Sequence, residues 1–96
     1  MKVFAIASLT PSFTPEKLAP HMQTEVPATL QHYLDGKIEQ FWFREGAGPI
    51  FLMDVASVDE AKAALDTLPL VKAELITYEF MPVGPLKPLG RLIQAQ

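Results

Sequence analysis

The chain has 96 residues, 49% of them hydrophobic, and a net charge of −3 from 8 Lys plus Arg against 11 Asp plus Glu. That length makes one domain with one modest core, and the basic residues form no run, which excludes the clustered positive field that nucleic acid requires. The absence of cysteine excludes disulfides, thiol nucleophiles and thiolate metal sites, and no stretch approaches the roughly 20 apolar residues of a membrane span. So apolar a composition is rich for a small monomer and points to an oligomer. The default location is the cytoplasm.

The opening run Met1, Lys2, Val3, Phe4, Ala5, Ile6, Ala7 begins like a signal peptide, but Thr10, Pro11 and Ser12 cut it short. It reads as a strand over 2–9, apolar on both faces. Thr14 and Pro15 then give a helix start, Thr as N-cap and Pro at the first helical position. The helix is expected over 15–34, with Asp35 and Gly36 ending it. Leu18, Met22, Val26, Leu30 and Tyr33 fall on one broad apolar face. Pro20 lies near the start, where it is tolerated, whereas Pro27 lies inside and should kink or divide the helix. His21, Glu25 and His32 form a narrow polar stripe beside the apolar face.

Residues 37–44 and 49–55 read as two strands around a Gly-rich turn at Glu45, Gly46, Ala47, Gly48 and Pro49. Phe41, Trp42 and Phe43 are consecutive aromatics, and Ile50, Phe51, Leu52 and Met53 follow suit, so both faces of this hairpin need cover. Ser57 with Glu60 matches a capping box opening a second helix to about Leu68, and Pro69 stops it. A last strand is expected over 71–81. The domain is taken as 1–84 and the rest, 85–96, as a C-terminal tail with an apolar patch at Leu89, Leu92 and Ile93.

The order βαββαβ specifies an α+β fold, a ferredoxin-like antiparallel sheet with both helices on one side. The bare side is apolar as well. Two protomers are therefore expected to pair sheet to sheet as a dimeric α+β barrel, and the chamber between the sheets is where a ligand is expected to sit.

Thr14-Pro15-Glu16-Lys17, Glu25, Asp35-Gly36, Trp42, the run from Met53 through Asp54, Val55, Ala56, Ser57, Val58, Asp59 and Glu60, and Leu68-Pro69-Leu70 together resemble the muconolactone Δ-isomerase family. The resemblance covers about residues 2–83, clearest over 54–70. The turn after the second strand is shorter here and the C-terminal tail differs. The resemblance implies a cofactor-free proton shift in a small unsaturated lactone carrying a carboxylate, in the β-ketoadipate branch of aromatic breakdown. It also implies dimeric barrels assembled into a larger ring, a decamer.

The candidate site comes from the residues themselves. Glu25 is the candidate base, since partial burial beside the apolar face raises a carboxyl's pKa; the plain alternative is a surface Glu paired with His21 at i,i+4. His21 and His32 titrate near neutrality and are candidate proton shuttles, or simply surface histidines. As a metal set, His21, Glu25 and His32 have no known motif spacing, so no metal and no cofactor are expected. Arg44, placed on one strand face with Trp42, Gln40 and Ile38, is the candidate carboxylate clamp, or a strand-end Arg paired with a Glu. Trp42 and Tyr78 are candidate substrate platforms, or packing residues. Asp54, Glu74 and Glu79 are given loop or junction duties. The competing functions are a non-catalytic small-molecule-binding or assembly member of the same barrel class, and a haem-degrading or quinol-oxidising monooxygenase, which only the histidines support.

Overall fold

The computed structural model describes residues 1–84. The expected tail at 85–96 lies outside the described residues. The elements run β1 (Lys2–Leu9), α1 (Pro15–Leu18), a 3-10 turn (Ala19–His21), α2 (Met22–Leu34), β2 (Ile38–Arg44), β3 (Gly48–Asp54), α3 (Val58–Leu65), α4 (Pro69–Lys72) and β4 (Ile76–Val83). The sheet order is β2-β3-β1-β4 with every neighbouring pair antiparallel. This is the ferredoxin-like α+β arrangement expected from the element order: each crossover passes over one strand, and both lie on the same side. No helix among the described residues is long and apolar enough to cross a membrane.

Local signals set most boundaries. Thr14 caps α1 by accepting from the Lys17 N–H at 3.2 Å. Ser57 caps α3 by accepting from the Glu60 N–H at 3.1 Å, while the Glu60 carboxylate reaches back to the Ala56 N–H at 2.9 Å. The capping box thus closes one residue earlier than its usual partner, the cap's own N–H. Gly36, at φ +83, ends α2 in a Schellman turn, with Gly36 N–H donating to Tyr33 C=O and Lys37 N–H to His32 C=O.

The two prolines of the first helix act in reverse of expectation. The helical run is divided at Pro20, within the 3-10 turn, while α2 continues unbroken across Pro27. The strand expected from residue 71 begins at Ile76. Pro69 does not only stop the preceding helix; at the first helical position, where its missing N–H costs nothing, it starts α4. That short helix closes with another Schellman turn: Leu75 N–H donates to Leu70 C=O, Glu74 N–H donates to Val71 C=O, and Glu74 sits at φ 61. Leu70 and Leu75 pack together in one buried cluster, the contact that accompanies this motif. Because Glu74 occupies a left-handed position at an exposed site, Glu74→Gly is expected to raise stability by roughly 0.5–1 kcal/mol, measured by urea denaturation.

The strands also differ in register from a simple alternation. The β2–β3 ladder shifts between Ile38 and Gln40, so Glu39 forms a bulge. The bulge separates Ile38 from the face it was expected to share with Gln40, Trp42 and Arg44: Ile38 is buried opposite Met53, while Trp42 pairs with Ile50 on the open side. Pro82 is tolerated inside β4 because β4 is an edge strand.

The core sits under α3. Val3, Ala5, Ile38, Phe51 and Met53 on the sheet, with Val55 just after β3, meet Ala61, Ala64, Leu65 and Leu68. The alanines let α3 lie close to the strands. A smaller cluster of Ala7, Leu70, Leu75 and Ile76 fills the other end, with Leu9, Phe13 and Leu18 against it. By contrast α2 buries no apolar side chain; the one residue it buries is Glu25. The unequal packing of the two helices creates the site.

Gly48 fixes the hairpin against β1. It is buried at φ +92, and a Cβ there would lie 3.1 Å from Ala7 Cβ and 3.2 Å from Ile76 Cδ1. Gly48→Ala therefore combines backbone strain with overpacking, and is expected to cost roughly 2–4 kcal/mol. Thermal unfolding should show a fall in Tm of roughly 10 °C or more.

Candidate functional site

A cavity of about 690 Å³ lies between α2 and the helix-side face of the sheet. It is therefore on the opposite side of the sheet from the chamber expected between two protomers. Alternation along the strands shows which faces are apolar; it carries no information on how closely a helix packs, and α2 stands off where α3 does not.

Glu25 lines this cavity at 7% exposure and is the only buried charged residue among the described residues. Its Oε1 accepts from the Leu70 backbone N–H at 3.0 Å. Leu70 is at the second position of α4, whose N-cap, Leu68, has no side-chain acceptor to offer. Glu25 thus caps from another helix one of the donors that every helix start leaves unpaired. Burial pushes the Glu25 carboxyl above its ordinary range; the Leu70 N–H and the charge of His21 each pull part of the way back.

Tyr78 lines the same cavity, with its ring stacked on Phe51 at a centroid distance of 5.6 Å. Its hydroxyl is buried and has no hydrogen-bond partner among the described residues. Burial, and secondarily the nearby Glu25 charge, raise the phenol's pKa well above its usual value, so Tyr78 is a neutral O–H group. Trp42 touches the cavity between Phe41 and Phe43, while its ring lies 6.3 Å from that of Phe4 on the open side of the sheet. Thr29 also lines the wall, but its hydroxyl donates to the Glu25 backbone carbonyl at 2.9 Å.

The remaining candidates do not line the cavity. His21 sits in the 3-10 turn, within electrostatic reach of Glu25 but outside the wall. His32 lies two turns further along α2, its Nε2 3.0 Å from Thr67 Oγ1. The Thr67 hydroxyl has one proton and gives it to Ala64 C=O at 2.6 Å, so His32 must donate from Nε2. That leaves His32 Nδ1 bare, buried and without a partner among the described residues. Burial, and then the Lys37 charge, hold its pKa below the ordinary value, so His32 is a neutral pin between α2 and the turn that follows α3. Arg44 donates to the carbonyls of Gly48 and Ala47, both at 3.2 Å, and to that of Ala7. The guanidinium ties the hairpin tip to β1.

Of the six residues singled out in the sequence, the structure therefore brings together Glu25 and Tyr78; Trp42 touches the cavity wall with its ring turned to the open face, and His21, His32 and Arg44 lie apart. The wheel stripe that linked His21, Glu25 and His32 ignored depth along the helix axis. The group the sequence reading missed is the Leu70 N–H. Pro69 at a first helical position was its one available signal. Among the described residues no group of three His, Cys, Asp or Glu is placed to hold a metal ion.

No family model matches the chain, and no curated protein matches it. Among solved structures it is similar to 5-chloro-2-hydroxyhydroquinone dehydrochlorinase (TftG) from Burkholderia phenoliruptrix AC1100, solved in complex with 2,5-dihydroxybenzoquinone. The likeness has a TM-score of 0.73 over 92% of this chain and 98% of that one, at 16% sequence identity. The two share a fold. At that identity the likeness extends to no residue role.

Proposed function

We propose that the protein is a cofactor-free acid–base catalyst that shifts a proton on a small ring compound, with Glu25 taking the proton and returning it. One observation carries this reading: a single buried carboxyl, held by the Leu70 N–H, in an otherwise largely apolar cavity. Such a carboxyl binds its proton more tightly than one in water, which suits a group that must accept a proton and give it back. In the step envisaged, Glu25 takes a proton from a carbon next to a ring carbonyl. The C–H electron pair moves into the ring to form an enolate, and the Glu25 carboxyl, whose proton exchanges with solvent, protonates another carbon. Atoms and charge balance without an oxidant. The dehydrochlorinase with the same fold, bound to a hydroxylated quinone, supports a ring substrate. Muconolactone Δ-isomerase activity, with a place in aromatic breakdown, is the specific form that the sequence resemblance suggests. Its carboxylate clamp would not be Arg44 in the conformation seen, where that guanidinium is engaged with backbone carbonyls.

The test is proton exchange. The protein is incubated in D₂O with muconolactone, 2,5-dihydroxybenzoquinone and related ring ketones, and deuterium incorporation is followed by NMR. Protein-dependent exchange that is lost in Glu25→Gln supports the reading. A second reading, a non-catalytic binding protein, is favoured by the fact that Glu25 already has structural work as the α4 cap. Binding without exchange across the panel would select it.

We also infer that two copies pair through the open face of the sheet. Phe4, Ile6, Ile50 and Leu52 are half-buried there, and Trp42 is 46% exposed. A larger ring such as a decamer would be built on that pair.

A further inference from the structure

We infer that the cavity takes a neutral, hydroxylated compound of at least two fused rings, its hydroxyl against Glu25 and its apolar body lying outward between α2 and β2. The inference rests on the Glu25 site proposed above and names what occupies it.

Size is the first argument. A volume of about 690 Å³ is in the middle of the range, about 300–1,000 Å³, that houses drug-sized ligands. A lone six-membered ring fills only part of it and leaves apolar wall in contact with water.

Polarity is the second. The wall has no Lys, Arg or His among the described residues. Its ionisable groups are Glu25 and Tyr78, and the Tyr78 hydroxyl is enclosed. Thr29 has already spent its proton on a backbone carbonyl. What remains to meet a ligand is the Glu25 carboxyl. A ligand O–H can donate to it in a charge-assisted hydrogen bond, whereas a ligand carboxylate brings a second negative charge into an apolar site with no counter-charge. A single-ring carboxylic acid suits neither the size nor the sign of this cavity, which counts against muconolactone itself while leaving the Glu25 proton shift in place.

The mouth is the third. Met22, Val26 and Leu30 follow one another at four-residue spacing on α2 and are 41%, 48% and 45% exposed. Phe41 and Phe43, on alternate positions of β2, are 48% and 77% exposed across the opening. Single exposed apolar side chains are ordinary, but here two rows border one opening and form a patch. A second ring continuing outward from Glu25 covers them.

The probes are 2-naphthol, 2-methoxynaphthalene, phenol and 2-naphthoate, titrated by calorimetry into the whole chain at pH 7. The expected order puts 2-naphthol about tenfold or more tighter than phenol, because the second ring removes further apolar surface from water. It also puts 2-naphthol about tenfold tighter than the methoxy compound, which has no donor, and than the naphthoate, which is charged. Leu30→Ala should weaken 2-naphthol severalfold and leave phenol unchanged. The unmodified protein decides the matter even if the variant folds poorly. Equal or tighter binding of 2-naphthoate, equal binding of phenol or of the methoxy compound, or no binding of any probe at millimolar concentration overturns the inference. Deuterium exchange at Glu25 with a failed naphthol series would remove this substrate class and leave the proposed function standing. The expected series without exchange would do the reverse.

Discussion

Glu25→Gln is expected to lower turnover about 10²–10⁴-fold, the usual worth of a positioned acid–base group, without destabilising the protein at pH 7. The two halves of that expectation have one cause. Burial holds the Glu25 carboxyl above its ordinary pKa of 4.5, so the folded protein binds that proton more tightly than the unfolded chain does. Stability is then unaffected below the unfolded pKa and declines as pH rises through the carboxylate range toward the raised folded value. Above that window the folded state carries the full cost of a buried charge. Glutamine has no such cost and keeps an oxygen for the Leu70 N–H. The variant should therefore match the parent near pH 4 and equal or exceed it at pH 7 in thermal melts.

Glu25→Ala separates the roles. It removes the acceptor as well as the charge, leaves the buried Leu70 N–H without a partner, and should cost roughly 1–3 kcal/mol. If Gln were as damaging to stability as Ala, the charge itself would be holding α4, and the carboxyl would be a structural cap. Activity gives the complementary sign. A base works only when ionised, so the rate should rise with pH through the raised folded pKa of Glu25 and then level off. A rate that is flat from pH 4 to 8, or unchanged in Glu25→Gln, would end the proposal.

Much of the fold could be read from the chain because its determinants are local. Thr14, Ser57, Glu60 and Gly36 mark helix ends through contacts within a few residues, and short apolar runs bounded by turn residues place β1 and β3. What escaped the sequence depends on distance. Whether Pro20 or Pro27 divides a helix depends on what else supports the chain there. The mixed stretch from Leu70 to Leu75, with Lys72 and Glu74 among apolar residues, fits a strand or a short helix equally well, and Pro69 decides it only through its place at the first helical position. The Glu39 bulge is invisible to alternation and reassigns every residue before it to the other face. At the site, the helical wheel placed Glu25 on the boundary of the apolar face, where it is. It could not show that its partner would be a backbone N–H 45 residues away. For the same reason Arg44, whose side chain suggested a ligand, is taken up by backbone carbonyls of its own hairpin and of β1.

Phe4→Glu is expected to convert a dimer into a folded monomer. Phe4 is on the central strand β1, opposite Leu52 on β3, with the Trp42 ring 6.3 Å away. It belongs to the face away from the helices: Val3 and Ala5, its neighbours on either side, are both fully buried in the core. A glutamate at position 4 in an isolated protomer meets water, so circular dichroism and the presence of a cooperative melt should be retained. In a sheet-to-sheet pair the same carboxylate is enclosed without a partner in each protomer, at a cost of roughly 3–5 kcal/mol per copy, or about four to seven decades in the dimer Kd. Light scattering should show the parent as a dimer or a multiple of it at micromolar concentration and Phe4→Glu as a single chain. Because the Glu25 cavity is on the other side of the sheet, ligand binding by the monomeric variant should persist if each protomer carries a whole site. A parent protein that scatters as a monomer, or a variant whose mass does not change, would mean that the open face is covered by something other than a second copy.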